Sequence, residues 1–506
     1  MDTLDSQNVG SRQTIGMVLT AIVVSIILRR LFFNPLAKIP GPWYTNWTNI
    51  VLKVKVLKGD GPIYVDQLHK QYGKHKLGFI KFTVMGVKLA IGPVVRVGPN
   101  DVDVTDITAV KKIHRVKADF LKTDFYNGIP YGKENLVSTQ DTDFHRRHRK
   151  LLSQPISESS LKAMLPQIEE KLSETTQEKA MIDFGRSSIG HLTFGESFHA
   201  LEKGEVNTYI KDIRKAGIIG SVGTQLKLLM PILYYFPLPG LGGSLRAISD
   251  RMSLYAGTQL NRLRDELNSS DGDRPLLLTK LVKGVTVEGE SMTEVELRNE
   301  AETYIVAGSE MPTNSRFSTT SNTLTFLTWV LCDQPEIKDQ LIKELQTLPA
   351  NFTDDDLKSL PFLNRCITEA LRRFPVVPGG LPRYVPKEGT DISGYWLPGG
   401  STVTTQTWSL HRDPEIFPDP DRYDPSRWEN PTKAMKDSMM PFGGGSRICI
   451  GMHLAYIELR MGLAYFFRAY PNARVSKLEG MSDDDMIPAM HFISSPRNHR
   501  CLIELS

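Results

Sequence analysis

The sequence predicts a mainly helical chain with a smaller β-rich part, carried behind an N-terminal apolar leader. Three observations support that class. Helical patterning dominates 161–267, Glu294–Gly308 and 453–467, whereas strand patterning is confined to short stretches such as 93–100 and 392–405. An almost uninterrupted apolar run stands at 14–28. With 506 residues, 40% of them hydrophobic and 23% charged, the chain can bury a large core. No Pro/Ser-rich linker or repeat divides it beyond the leader, which favours one large domain. The net charge of +4 is small and evenly spread, so nucleic acid is not an expected partner. Cys332, Cys366, Cys449 and Cys501 lack zinc-site spacing and are too sparse for a disulfide scaffold, which fits a reducing compartment.

Residues 1–33 read as a leader with a single membrane anchor at 14–33. The apolar run is followed by Arg29 and Arg30, which can snorkel while Leu31 to Phe33 sit in the interface. With Lys38, these arginines outweigh Arg12, placing the rest of the chain on the cytosolic side. A cleaved signal peptide is the rival reading, but no small-x-small site follows the run. Residues 34–45, with Ile39-Pro40-Gly41-Pro42, read as a stiff proline-rich hinge, and 46–506 as the globular domain.

Within that domain, 66–72 reads as a helix end stopped by Gly73, and 93–100 as a strand running into a turn. Residues 120–143 are polar, aromatic and aperiodic. The basic run His145-Arg146-Arg147-His148-Arg149-Lys150 would ordinarily be a solvated face. The helical stretch 161–267 breaks at Pro231, Pro237, Pro239 and the glycines 240–243. Glu294–Gly308 is helix-like, but 311–318 brings a proline and several poor helix formers. In Glu369-Ala370-Leu371-Arg372, opposite charges stand at i and i+3 on one helix face. Such a pair on a surface is worth under about 1 kcal/mol.

Near the C-terminus, Pro441-Phe442-Gly443-Gly444-Gly445-Ser446-Arg447-Ile448-Cys449-Ile450-Gly451 presents one cysteine on a glycine-rich loop, ahead of a helical run. A thiolate binds metal only if deprotonated, shielded and held. The glycines let the backbone pass close beneath a flat ligand and adopt positive φ. A buried structural cysteine beside an ordinary turn is the plainer alternative.

The full string F-x-x-G-x-R-x-C-x-G resembles the haem-binding loop of the cytochrome P-450 family. The resemblance extends to Ala307-Gly308-Ser309-Glu310, to Glu369 with Arg372, and to Tyr423-Asp424-Pro425-Ser426-Arg427-Trp428. It implies a mainly helical haem-thiolate fold with a smaller β-rich part. Cys449 would be the iron ligand of haem b, with Phe442, Gly443 and Gly451 beside the cofactor. Arg149, in an aromatic-x-x-x-Arg pattern where His145 replaces the usual tryptophan, would meet the propionates together with Arg383 and Arg447. Planar guanidinium forks suit that task. Glu310 and the hydroxyl of Thr319 would deliver protons to bound oxygen, with Thr313 as the alternative hydroxyl. Glu369, Arg372 and Arg427 would form a buried, fully paired cluster bracing the cysteine segment.

The implied activity is a monooxygenase that inserts one oxygen atom of O2 into a small hydrophobic substrate. No flavin or nicotinamide fingerprint is present, so electrons are expected from NADPH through a separate NADPH-cytochrome P-450 reductase. Its docking face would include some of Arg146, Arg147 and Arg447. Leader and hinge resemble microsomal filamentous-fungal members. That implies a single-pass protein of the endoplasmic reticulum membrane, a cytosolic catalytic domain and a secondary-metabolite intermediate as substrate. The alternatives are a haem-thiolate desaturase or rearrangement enzyme, and a catalytically impaired haem-binding membrane protein. Two stretches depart from the family pattern. Residues 74–91 read either as an extra β-hairpin or as a translated intron, since Gly73-Lys74 and Ile91-Gly92 can encode splice signals. Residues 311–318 can encode a branch site and an acceptor, and read as a second intron-derived insertion.

Overall fold

The structure, a computed structural model, describes residues 17–18, 21, 24–25, 34–72, 93–117, 119–127, 133–166, 168, 212, 215, 222–225, 230–236, 244–269, 278–282, 291–308, 319–498 and 500–505. Both suspected insertions and Glu310 lie outside the described residues, as does most of the leader. Among the described residues no helix is long and apolar enough to cross a membrane.

The principal helices are α1 (Ile50–Leu57), α2 (Gly61–Tyr72), α3 (Ile107–His114), α4 (Thr142–Ser153), α5 (Leu245–Asn268), α6 (Glu294–Gly308), α7 (Thr320–Asp333), α8 (Pro335–Leu345), α9 (Pro361–Arg373) and α10 (Met452–Ala469). Several begin where local chemistry dictates. Asp141 accepts from the amides of Asp143 and Phe144 to cap α4, and Ser244 accepts from Ala247 N to cap α5. Pro335 and Pro361 open α8 and α9, where a missing N–H costs nothing.

Helix α7 is buried almost all round, as a central helix must be, and packs against α9 and α10. Phe326 stacks on Phe374 with ring centroids 5.0 Å apart. Gly462 brings α10 close to α7, where a Cβ would already stand 3.3 Å from Leu324.

The β-rich part is built on β1 (Val94–Gly98), β2 (Asp101–Val104), β3 (Arg383–Tyr384), β4 (Thr390–Ile392), β5 (Tyr395–Leu397) and β6 (Thr402–Thr404). One sheet has the order β1-β2-β6-β3, with β2 and β6 parallel and its other pairs antiparallel. The strands expected within 93–100 and 392–405 are therefore present, and β4 and β5 form a hairpin of their own. The proline-rich stretch packs onto this sheet. Leu36 and Ile39 are buried, and the buried Arg96 of β1 donates to Thr45 Oγ1 and Leu36 O, each at 3.0 Å. The sheet thereby holds the proline-rich stretch in place, and β3 carries Arg383 towards Arg447 of the cysteine loop.

Candidate active site

The loop before α10 is folded around its own backbone. Cys449 N donates to Phe442 O at 2.9 Å, and Gly443 N to Met440 O at 3.0 Å. Gly443 and Gly445 take φ of +75° and +61°, which glycine alone adopts cheaply. At Gly445 sterics also forbid a side chain, since a Cβ would lie 1.7 Å from His114 O at the end of α3. The Phe442 ring packs 5.4 Å from that of Tyr456 on α10.

Cys449 is exposed in the loop, with the Arg149 guanidinium and the Gly451 N–H near its sulfur. Burial raises its thiol pKa, while the Gly451 N–H and the Arg149 guanidinium pull it back down. Both latter groups favour the thiolate, the form that binds metal.

Arg149 lies beside this sulfur and belongs to a set of four basic groups, in which Arg447 adjoins Arg149 and Arg383, and Lys122 adjoins Arg447 and Arg383. Arg149 Nη1 donates to Ile448 O at 2.6 Å, which ties α4 to the residue preceding the cysteine. Arg383 Nη1 donates to Tyr126 Oη at 2.8 Å, and Arg447 Nη1 to Thr139 O at 3.3 Å. Lys122 Nζ, almost wholly buried, donates to Leu136 O and Val137 O. Burial, then Arg383, lowers the Arg447 pKa to about 10, and burial with Arg447 and Arg383 pulls Lys122 well below its ordinary value. His145, inside the same set, is pushed to about 3 by burial and then by Arg447, Lys122 and Arg149, so it is neutral. Among the described residues, none of the four cations forms an ion pair with a carboxylate. Gathering unpaired cations is costly unless an anion joins them.

The donor chemistry therefore fits haem: one thiolate-forming sulfur for the iron, and cations for two carboxylates at the macrocycle edge. Arg149, Arg383 and Arg447, the arginines expected at the propionates, fall together in this set. Lys122 was missed, because it sits in an aperiodic stretch and its partners are loop carbonyls remote in sequence.

The brace is equally specific. Glu369 and Arg372 are fully buried, with Arg372 Nε and Nη2 donating to the two carboxylate oxygens at 2.9 and 2.8 Å. Glu369 also accepts from Asp424 N at 3.0 Å and Trp428 Nε1 at 2.9 Å. Arg372 donates to His411 O at 2.8 Å and to Pro420 O at 2.7 Å. Arg427 comes within 3.4 Å of Glu369, but its Nε makes no hydrogen bond, and its Nη2 donates to Asp419 O. Trp428 and His411 are members that sequence reasoning had not assigned.

The basic run 145–150 needs correcting as a solvated face. His145 and His148 are buried, and Arg147 is taken by Glu296 and Ser291 O of the α6 region. Arg447 points into the cation set. Of the three arginines offered for docking a reductase, Arg146 is the outward one, with Asp143 beside it. Thr319 caps the start of α7, where its carbonyl accepts from Thr323 N at 3.2 Å. A cavity of ≈ 740 Å³ reaches the turn at Gly379, Gly380 and Pro382 ahead of Arg383, but does not include Cys449.

A family model described as Cytochrome P450 matches residues 84–498. The chain belongs to the cytochrome P450 family. It is 39% identical to "Cytochrome P450 monooxygenase tazI" of Aspergillus terreus, over 98% of this chain and 99% of that one. "Cytochrome P450 monooxygenase stcB" of Emericella nidulans is 30% identical over 97% and 92% of the two chains. Among solved structures, the "cytochrome P450DA heme domain" superposes with a TM-score of 0.72 at 18% identity, covering 92% of this chain and 98% of that one. The fold is thus that of the P450s, mainly helical with some sheet, and the protein is an oxidoreductase of the monooxygenase class.

Proposed function

We propose that this P450 binds haem b through the Cys449 thiolate and inserts one oxygen atom of O2 into a small hydrophobic intermediate of fungal secondary metabolism. The observation that carries this reading is the proximity of Cys449 to Lys122, Arg149, Arg383 and Arg447, none of which forms an ion pair with a carboxylate among the described residues. A thiolate-ligated haem, when bound, supplies O–O cleavage through the electron-rich sulfur. The chain's own residues do the rest. Gly451 N–H and Arg149 hold negative charge on the sulfur. Lys122, Arg149, Arg383 and Arg447 hold the cofactor's carboxylates. Glu369 and Arg372 keep the segment before the loop rigid. Glu310 and Thr319 would pass protons on the oxygen side.

The apolar lining of the large cavity by Leu52, Val56, Val65, Phe125 and Val377 supports a hydrophobic substrate arriving near Arg383. The fungal relatives, one of which bears the name trichothecene C-15 hydroxylase, support hydroxylation in a biosynthetic setting. Electrons would come from NADPH through a separate reductase. The apolar leader supports a single-pass anchor in the endoplasmic reticulum membrane with the catalytic domain in the cytosol.

The test is product analysis under labelled dioxygen, after expressing the chain with a fungal reductase in a host that makes the intermediates. One labelled oxygen atom in a new product is expected. A product short of two hydrogens and without label would replace oxygen insertion by desaturation. Haem loading without turnover would overturn the proposed activity.

A further inference from the structure

Four cations in one place repel one another, so other groups must hold them in register. Two are held by the loop 133–139, whose carbonyls at Leu136 and Val137 accept from Lys122 and at Thr139 from Arg447. A third, Arg149, is set by the position of α4. Both supports converge on one residue of α6. Glu300 Oε1 accepts from Leu136 N at 2.7 Å and faces His148 Nδ1 at 2.7 Å, and His148 immediately precedes Arg149.

The surroundings leave this junction little freedom. Glu300 and His148 are buried, and Phe144 stacks on the His148 ring with centroids 3.7 Å apart. On either side of Glu300, Asn299 Nδ2 donates to Glu134 O at 3.2 Å and Glu302 receives Lys133 at 2.9 and 2.8 Å. These contacts dock the loop along α6, and among the described residues Glu300 alone joins loop and α4 through one oxygen. Its other oxygen, Oε2, is buried and has no hydrogen-bond partner among the described residues. A carboxylate kept in that state is costly, which argues for a task beyond helix packing.

We propose that Glu300 is the positioning residue of the cation set: through the Leu136 amide and His148 it fixes the spacing of Lys122, Arg447 and Arg149, and so the grip on the haem carboxylates. The inference rests on the haem reading above and adds a residue outside the cysteine loop, the propionate arginines and the Glu369 brace. Glu300 acts through its neighbours rather than on the reacting atoms.

The test compares haem with haem dimethyl ester, in which both carboxylates are masked. The full chain, Glu300→Ala and Glu300→Gln are each loaded with either cofactor, and its loss to excess apomyoglobin is followed by absorbance. Glu300→Ala is expected to lose haem about tenfold faster than wild type, as when other outer-shell supports are removed. Loss of the diester should change by less than about twofold, because a masked edge makes no use of the cation spacing. Glu300→Gln, which keeps an acceptor for Leu136 N and His148, should stay near wild type. Equal acceleration for both cofactors, or none for either, would overturn the proposal. If Glu300→Ala does not fold, His148→Ala removes one arm alone and must show the same selectivity. A wild-type chain that retains no haem would overturn the underlying haem reading instead.

Discussion

Gly445 tolerates no side chain, and the reason is local. Its φ is positive and a Cβ would occupy the space of His114 O. Gly445→Ala should destabilise the protein by more than about 4 kcal/mol, visible as loss of soluble haem-loaded protein on expression. His411 gives a residue-level pH prediction. Its Nδ1–H donates to Arg372 O, and its Nε2 accepts from Met440 N. Burial, then Arg372 and Arg412, pushes its pKa to about 3. An unfolded histidine titrates near 6.5, so the unfolded chain takes up a proton that the folded one refuses. Stability present above pH 6.5 is therefore lost progressively as pH falls towards 3, at about 1.4 kcal/mol per unit. Between pH 7 and 5, wild type should lose about 2 kcal/mol more than His411→Gln in chemical denaturation. Equal losses would show that His411 is not the group refusing the proton. At this scale Cys449, Phe442 and Arg447 were legible in the sequence because their spacing is itself the motif. Lys122, Trp428 and His411 were not, since each meets its partner through a long-range contact that leaves no periodic trace.

Elements matter through the brace that links α9 to the segment 424–428. A buried carboxylate receiving four hydrogen bonds cannot be removed cheaply, because the guanidinium it pairs is left uncompensated. Glu369→Ala should cost about 3–5 kcal/mol in unfolding free energy. Geometry also ranks the two arginines. Arg372→Met should destabilise more than Arg427→Met, since Arg372 makes two direct bonds to Glu369 while Arg427 makes its bond to Asp419 O. Denaturant midpoints of the two variants check the order, and equal midpoints would contradict it. The strand at Val94–Gly98 and the helix at Glu294–Gly308 could be read from local pattern. The parallel pairing of β2 with β6 could not, because it joins Asp101–Val104 to Thr402–Thr404 and no local rule selects so remote a partner. Nor did charge pattern alone show that His145 and His148 turn inward. His148 is met there by Glu296 and Glu300 of α6, remote partners that again no local rule selects.

For the whole molecule, full-length similarity to fungal monooxygenases makes the two departures at 74–91 and 311–318 the informative places. If they are intron-derived, transcript sequencing will lack their codons, and the chain expressed without them will bind more haem per protein than the chain as written. Transcripts that retain those codons would remove that explanation and leave Thr313 and Thr319 as rival hydroxyls on the oxygen side. Arg149 and the glycine-rich loop meet at Cys449, so the most direct measurement is the carbon-monoxide difference spectrum of the reduced full-length protein and of Cys449→Ser. Wild type should show a band at about 450 nm, the mark of thiolate ligation, and the variant should lack it. The same band in Cys449→Ser, or none in haem-loaded wild type, would contradict Cys449 as the iron ligand.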